Sequence, residues 1–189
     1  MPVNVYKEDI EASKRRVEAW WNHEIIDRAV IQVRAPKAPP PAVQANAGPK
    51  PDQAALRRFF TDPETVLPRL QASLARTYFG GEAFPVMFPV SISMVAILSN
   101  YLGCPMRFVN ENTTWSDHIL DDWKTRPTYR CDLEVEWWRI SEALLKTAVA
   151  RSDGYFVGAP DLNGPTEMLS RLRSPGKLAL DLYDQPRYI

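Results

Sequence analysis

Two side chains stand where strands give way to loops and carry charge suited to chemistry. Arg34 follows the apolar run at residues 29–33, and its planar guanidinium could grip a substrate carboxylate through two parallel hydrogen bonds. Asp161 follows the apolar run at residues 155–157, and a carboxylate there could orient a cation or accept a proton. A plainer role is an Asx-turn fixing Asp161-Leu162-Asn163-Gly164. Asn163 and Thr166 lie on the same loop, and a helix starting at Thr166 after Gly164 would offer free backbone amides to an anion, or simply carry a threonine cap. His118 lies near Trp115, Asp121 and Asp122, a setting for a general acid or a ligand, or for a solvated loop histidine. Trp115, His118, Asn163 and Thr166 are thus the candidate substrate contacts beside Arg34 and Asp161.

These residues need a scaffold, and apolar periodicity supplies its outline. Residues 7–22 predict a helix with Ile10, Val17 and Trp20 or Trp21 on one stripe. The tryptophan pairs Trp20-Trp21 and Trp137-Trp138 are expected to pack against the sheet. Residues 29–33 predict a strand, stopped by Pro36. Prolines at 36, 39, 40, 41, 49 and 51 predict an extended loop over residues 35–51. A helix over residues 52–60 follows, then another capped at Asp62-Pro63-Glu64, with Val66, Leu67, Leu70 and Leu74 inward and Pro68 as an internal irregularity. Residues 83–90 predict a strand weakened by Pro85 and Pro89, and residues 94–102 a buried helix closed by Gly103. Residues 106–109 and 113–115 read as strands around the turn Asn110-Glu111-Asn112. A helix begins at Leu133 or Glu134 and runs to Ala150, with Val135, Trp138, Leu144 or Leu145 and Val149 inward. Residues 155–157 then predict a strand, and Met168, Leu169 and Leu172 a helix continued by Leu178 and Leu182. Asp184-Gln185-Pro186 looks like a further helix start, with Ile189 about one turn later, so the expectation is the front part of a longer α/β protein. Alternating helices and strands call for a sheet with helical cover, with residues 29–33 and 155–157 as neighbouring parallel strands.

Bulk properties narrow the function. Lysine plus arginine equals aspartate plus glutamate at 23 each, so no net field recruits nucleic acid or an anionic membrane. No apolar run approaches the ~18 residues of a membrane span, and the N-terminus carries Lys7, Glu8 and Asp9, so a cytoplasmic protein is expected. Cys104 and Cys131 match no metal or redox spacing and read as reduced thiols, and two histidines cannot make a metal site unaided. No cofactor is expected within this chain. Phosphate loops, dinucleotide glycine fingerprints, Ser-His-Asp sets and metalloprotease motifs are missing from the sequence.

Several short blocks, taken in order, resemble the N-terminal half of the uroporphyrinogen decarboxylase superfamily, which includes the cobalamin-linked methyltransferases. They are Trp20-Trp21-Asn22 with Ile26-Asp27-Arg28-Ala29-Val30, Phe88-Pro89-Val90 leading to Leu102-Gly103-Cys104-Pro105, and Thr114-Trp115 with Asp121-Asp122-Trp123. The most specific is Val157-Gly158-Ala159-Pro160-Asp161-Leu162-Asn163-Gly164-Pro165-Thr166, followed by Leu172-Arg173 and Asp181-Leu182-Tyr183-Asp184-Gln185-Pro186. The resemblance implies a partial, truncated TIM (β/α)8 barrel with an N-terminal helical segment, a complete one taking about 250 residues. It implies action on a tetrapyrrole or corrinoid-linked methyl transfer. In the decarboxylases the first strand leads into Arg-Gln-Ala-Gly-Arg, and here that place reads Arg34-Ala35-Pro36-Lys37, so Arg34 alone carries over as the group that binds acidic side chains. Asp161 would face a pyrrole nitrogen. Zinc, in the methyltransferase branch, would come from His and Cys residues beyond Ile189. The expected partners are a small-molecule substrate or a corrinoid protein, and another copy of the chain in a homo-oligomer. The rival expectation is a non-catalytic half-barrel completed by a partner subunit.

Overall fold

The computed structural model describes residues 5–39, 52–91, 94, 97–126, 128–130 and 132–189. The chain is mixed α/β. Its described elements are α1 (Ile10–Trp21), β1 (Gln32–Pro36), α2 (Gln53–Thr61), α3 (Pro63–Ala75), β2 (Thr77–Gly81), β3 (Val86–Met87), α4 (Ile97–Tyr101), β4 (Met106–Asn110), β5 (Thr113–Ser116), α5 (Glu136–Ala150), β6 (Phe156–Val157), α6 (Pro165–Arg173) and α7 (Pro175–Asp184), with short 3-10 turns at Trp123–Thr125 and Pro186–Tyr188.

The strands form three two-stranded sheets among the described residues, and no closed barrel. β1 pairs antiparallel with β2, from Gln32 opposite Gly81 to Pro36 opposite Thr77. β4 and β5 make an antiparallel hairpin, and β3 pairs in parallel with β6, Val86 beside Phe156 and Met87 beside Val157. The expected parallel neighbours, residues 29–33 and 155–157, therefore lie in separate sheets. The displacement has a local cause. Glu82 accepts the Ile31 amide at 3.0 Å on its carboxylate, donates its own amide to the Ile31 carbonyl at 2.8 Å and holds Arg28 at 2.7 and 2.8 Å, so the chain before Gln32 is tied to Glu82 beyond the end of the ladder. β1 consequently starts at Gln32 and runs through Pro36.

Glu82 is fully buried, with Arg16 a further 3.5 Å contact. Burial alone pushes its carboxyl up, but the hydrogen bonds from Arg28 and the Ile31 amide, with both guanidinium charges, outweigh this and leave it below the usual carboxylate range. α1 is fastened to the same ribbon. Ser13 Oγ donates to the Gly81 carbonyl at 2.9 Å, and buried Lys7 donates to the Phe79 and Gly81 carbonyls at 3.1 and 2.7 Å. Its inward residues are Ile10, Ser13 and Ala19, while Trp20 and Trp21 are 53% and 70% exposed and pack edge-on to each other. The expected core role of that pair is corrected: α1 packs inward through Ile10, Ser13 and Ala19, and the two rings in its last turn stay exposed against each other.

The main core lies where α2, α3 and α5 meet β3 and α4. Leu56 and Phe60, one turn apart on α2, meet Val66 and Leu67 of α3, Met87 of β3, Ile97 of α4 and Leu144 of α5, each about 1% exposed or less. Asp62 caps α3, accepting from the Glu64 amide at 3.1 Å and the Thr65 hydroxyl at 2.7 Å, with Pro63 in the first turn and Pro68 inside the helix. α5 buries Trp137, Ser141, Leu144 and Ala148, one position out of phase with the expected Trp138 and Val149. Trp137 sits near Phe108, with Arg57 5.4 Å from its ring centre, while Trp138 meets Tyr101 edge-on and Val149 is exposed. A smaller cluster of Cys104, Leu120, Trp123, Leu172 and Leu178 joins the β5–α5 connection to α6 and α7.

The strand expected over residues 83–90 reduces to two residues. Helix α4 is described from Ile97, and Cys131 and most of the proline-rich stretch, residues 40–51, lie outside the described residues.

Candidate functional site

The parallel pair positions the best candidate site. In parallel α/β sheets ligands sit beyond the carboxyl ends of the strands, where connecting loops converge. Phe156 donates its amide to Pro85 at 2.9 Å and Gly158 donates to Met87 at 2.7 Å, so β3 and β6 end side by side. Beyond them run Phe88-Pro89-Val90-Ser91 and the loop from Gly158 to Gly164. Phe88 lies directly on Gly158: a Cβ there would come 2.3 Å from the Phe88 ring, so only glycine admits the ring in this position. An apolar cavity of about 210 Å3 runs along β3, lined by Leu70, Leu74, Val86, Phe88, Ser73 and Ser91.

The second loop ends in a helix N-terminus open to a ligand. Gly164 is the N-cap of α6 and provides no side-chain cap, and Pro165 occupies the first turn. The first amides of any helix lack intrahelical acceptors, so those of Thr166 and Glu167 face outward from α6 with the positive end of the helix dipole. Thr166 is a first-turn residue, not the cap that its type suggested. Asp161 and Thr166 are exposed, and Asn163 is half-buried with its Oδ1 enclosed and without a hydrogen-bond partner among the described residues. Asp161, Asn163 and Thr166 therefore belong to one strand-end loop.

The other expected site residues fall elsewhere. Arg34 is in the middle of β1, exposed and opposite Phe79, on the antiparallel ribbon; it is not at the carboxyl end of a parallel strand. Trp115 is 53% exposed on β5, opposite Arg107 of the hairpin. His118 Nδ1 lies 2.8 Å from the Arg171 carbonyl, which with the Ile119 and Leu120 amides on the Leu172 carbonyl pins this loop to the end of α6. The acids near it in sequence are engaged elsewhere. Asp121 receives Lys177 Nζ at 2.8 Å, which holds its carboxyl below the usual range, and Asp122 caps the Trp123–Thr125 turn through the Lys124 amide. No group of three His, Cys, Asp or Glu side chains able to hold a metal occurs among the described residues.

Sequence reading missed two ion pairs whose carboxylates are buried. One is Glu82 with Arg28 and Arg16; the other joins Arg173 to Asp181, with Trp123 Nε1 donating to the same carboxylate at 2.8 Å. Neither has a motif, since the partners come from different elements. Compared with family models, curated proteins and solved structures, the chain matches none. Among the described residues no helix is long and apolar enough to cross a membrane.

Proposed function

We propose that this chain is the N-terminal part of a uroporphyrinogen decarboxylase-like barrel whose substrate, a tetrapyrrole or the methyl group of a corrinoid protein, is met at the carboxyl ends of β3 and β6. The observation that supports the reading is the parallel pairing of these strands across a long crossover, which leads directly into the loop carrying Asp161, Asn163 and Thr166. In that loop the outward amides at the start of α6 would hold a carboxylate, and Asp161, free to reach solvent, would handle a proton of the pyrrole ring. Arg34 would serve only as a remote carboxylate grip, because it stands on another sheet. For methyl transfer the described residues offer no donor cluster for zinc.

The alternative is a non-catalytic half-barrel completed by a partner subunit. It is favoured by the apolar face of the β1–β2 ribbon, where Ile31, Val33 and Tyr78 are 54%, 45% and 54% exposed and would be covered by such a partner.

The test is binding and turnover by the purified chain. Uroporphyrin, the stable oxidised form of the substrate, and a methylated corrinoid protein are titrated against the chain and Asp161→Ala. Weak, saturable binding of one of them, lost in the variant, supports the enzyme reading. Turnover is not expected from these strand ends alone, because barrel sites draw on residues around the whole ring. Absence of binding to either, together with a tight complex between copies of the chain, would favour the half-barrel.

A further inference from the structure

We propose that the outer edge of β1 pairs antiparallel with the same edge of a second copy of this chain, about a two-fold axis at Val33. The pairing concerns how copies meet and does not depend on what binds beyond β3 and β6.

The ladder fixes which groups are available. Glu82 donates its amide to the Ile31 carbonyl and Lys37 donates to the Arg76 carbonyl, each at 2.8 Å, and these residues stand opposite each other at the two ends of the β1–β2 register. Along an antiparallel strand, residues that bond to the neighbour alternate with residues whose main-chain groups point away from it. Residues 31, 33, 35 and 37 therefore face β2, and Gln32, Arg34 and Pro36 direct their main-chain groups to the other side. All three are exposed, and their main-chain groups have no hydrogen-bond partner on that side among the described residues. On β2 the corresponding carbonyls of Phe79 and Gly81 are taken by Lys7 and Ser13 of the α1 segment. The ribbon thus has one closed edge and one open edge, and an open edge is a template for another strand.

The pattern along the open edge selects a second copy as the occupant. With the axis at Val33, Gln32 stands opposite Arg34 of the second copy, and each such pair exchanges N–H···O=C bonds in both directions. The face that carries Val33 also carries Ile31, Ala35 and Tyr78, and Ile31, Val33 and Tyr78 are exposed. Across the axis Val33 meets Val33 and Ile31 meets Ala35, so the apolar row runs on from one copy into the next. The opposite face sets Arg34 against Gln32, with no like charges directly opposed. An axis at Arg34 would oppose two guanidinium groups and set Pro36, which lacks an amide hydrogen, against Gln32. An axis at Gln32 would carry the pairing off the strand onto Val30. A two-stranded ribbon is marginal alone, and this pairing joins two ribbons into one continuous sheet. The closed edge of β2 stops growth at the dimer.

The experiment is sedimentation equilibrium of the whole chain beside Gln32→Pro and Val33→Lys. Gln32→Pro removes an outward N–H that β2 does not use, and Val33→Lys sets like charges against each other on the axis. The expected result is a reversible monomer–dimer equilibrium whose dissociation constant each variant raises about tenfold or more, with the far-UV spectrum of the chain retained. Val33→Cys gives a second reading that needs neither substitution: its thiols meet on the axis and should link two copies by a disulfide under mild oxidation, whereas Arg15→Cys, exposed on α1, should not. A chain that stays monomeric up to about 200 μM overturns the proposal, as does association beyond the dimer. So does a dimer that either folded variant leaves unchanged, or one that Val33→Cys links no better than Arg15→Cys.

Discussion

Arg173 and Asp181 close the corner between α6 and α7 through two hydrogen bonds, Nε to Oδ2 at 2.6 Å and Nη2 to Oδ1 at 3.0 Å, with both side chains less than a tenth exposed. The same guanidinium donates to the Leu120 carbonyl at 3.2 Å and to the Asp121 carbonyl, so one arginine joins the β5–α5 connection to the last helices. Removing one partner of a buried pair strands the other charge, which costs far more than the pair contributes in net terms. Asp181→Ala is expected to lower the melting temperature by on the order of 10 °C. The double variant with Arg173→Ala should lose less than the sum of the single variants. Additive losses in thermal melts would show that the two residues act independently.

Acid should release both ion pairs. The hydrogen bond from Arg173, helped by Trp123 and opposed by burial, holds Asp181 below the usual carboxylate range, and Glu82 is also net lowered. A carboxyl whose folded pKa lies below its unfolded value adds stability that is complete above the unfolded value and is lost as pH falls through the folded one. Urea midpoints should therefore be nearly flat above about pH 5 and fall below about pH 4, the ordinary carboxylate range. Glu82→Gln should be less stable at pH 7 and show a shallower acid decline. An unchanged acid slope in that variant would mean that Glu82 does not titrate differently on folding.

What could be read in advance was local. α2, α3, the β4–β5 hairpin and α6 each carry their own periodicity, cap or turn, and were expected within a few residues of where they lie. β2 was not expected, because Thr77-Tyr78-Phe79-Gly80-Gly81 contains two glycines and follows a helix directly. It becomes a strand through distant partners: β1, and the Lys7 and Ser13 side chains on its carbonyls. With β2 as its antiparallel neighbour, β1 lies in a different sheet from β6, which pairs in parallel with β3. The phase of α5 was ambiguous because Trp137 and Trp138 are both apolar, and only contact with Phe108 decides which is inward. At the candidate site the loop holding Asp161, Asn163 and Thr166 was legible from its turn residues. The placement of Arg34 was not, since it depends on which sheet takes its strand.

Gly81 is expected to tolerate no side chain. Its φ is +57°, and a Cβ would come 2.1 Å from the Ile31 carbonyl oxygen, which accepts the Glu82 amide at 2.8 Å. Backbone cannot move aside there without breaking that bond. Gly81→Ala should destabilise the chain by about 2 kcal/mol or more in urea unfolding. Gly80→Ala is the control: its Cβ would meet the Tyr78 ring at 2.8 Å, and that exposed ring can swing away, so the cost should stay under about 1 kcal/mol. Equal losses at the two positions would show that the left-handed turn at Gly81 is not what holds Glu82 in place.

Two buried tyrosine hydroxyls should respond oppositely to removal. Tyr101 Oη donates to Ser141 Oγ at 2.8 Å, and Ser141 in turn donates to the Trp137 carbonyl at 2.8 Å, linking α4 to the inner face of α5. Burial raises the Tyr101 pKa, so the hydroxyl stays protonated and keeps donating through the neutral range. Tyr101→Phe leaves the serine oxygen without that donor and should cost about 1–2 kcal/mol. The Tyr129 hydroxyl has no partner among the described residues although it is enclosed. Its removal takes away a desolvated group and breaks no bond within the protein, so Tyr129→Phe should be neutral or stabilising by up to about 1 kcal/mol. Urea unfolding of the two variants side by side decides the matter: a loss at Tyr129 as large as at Tyr101 would mean that its hydroxyl is paired in solution.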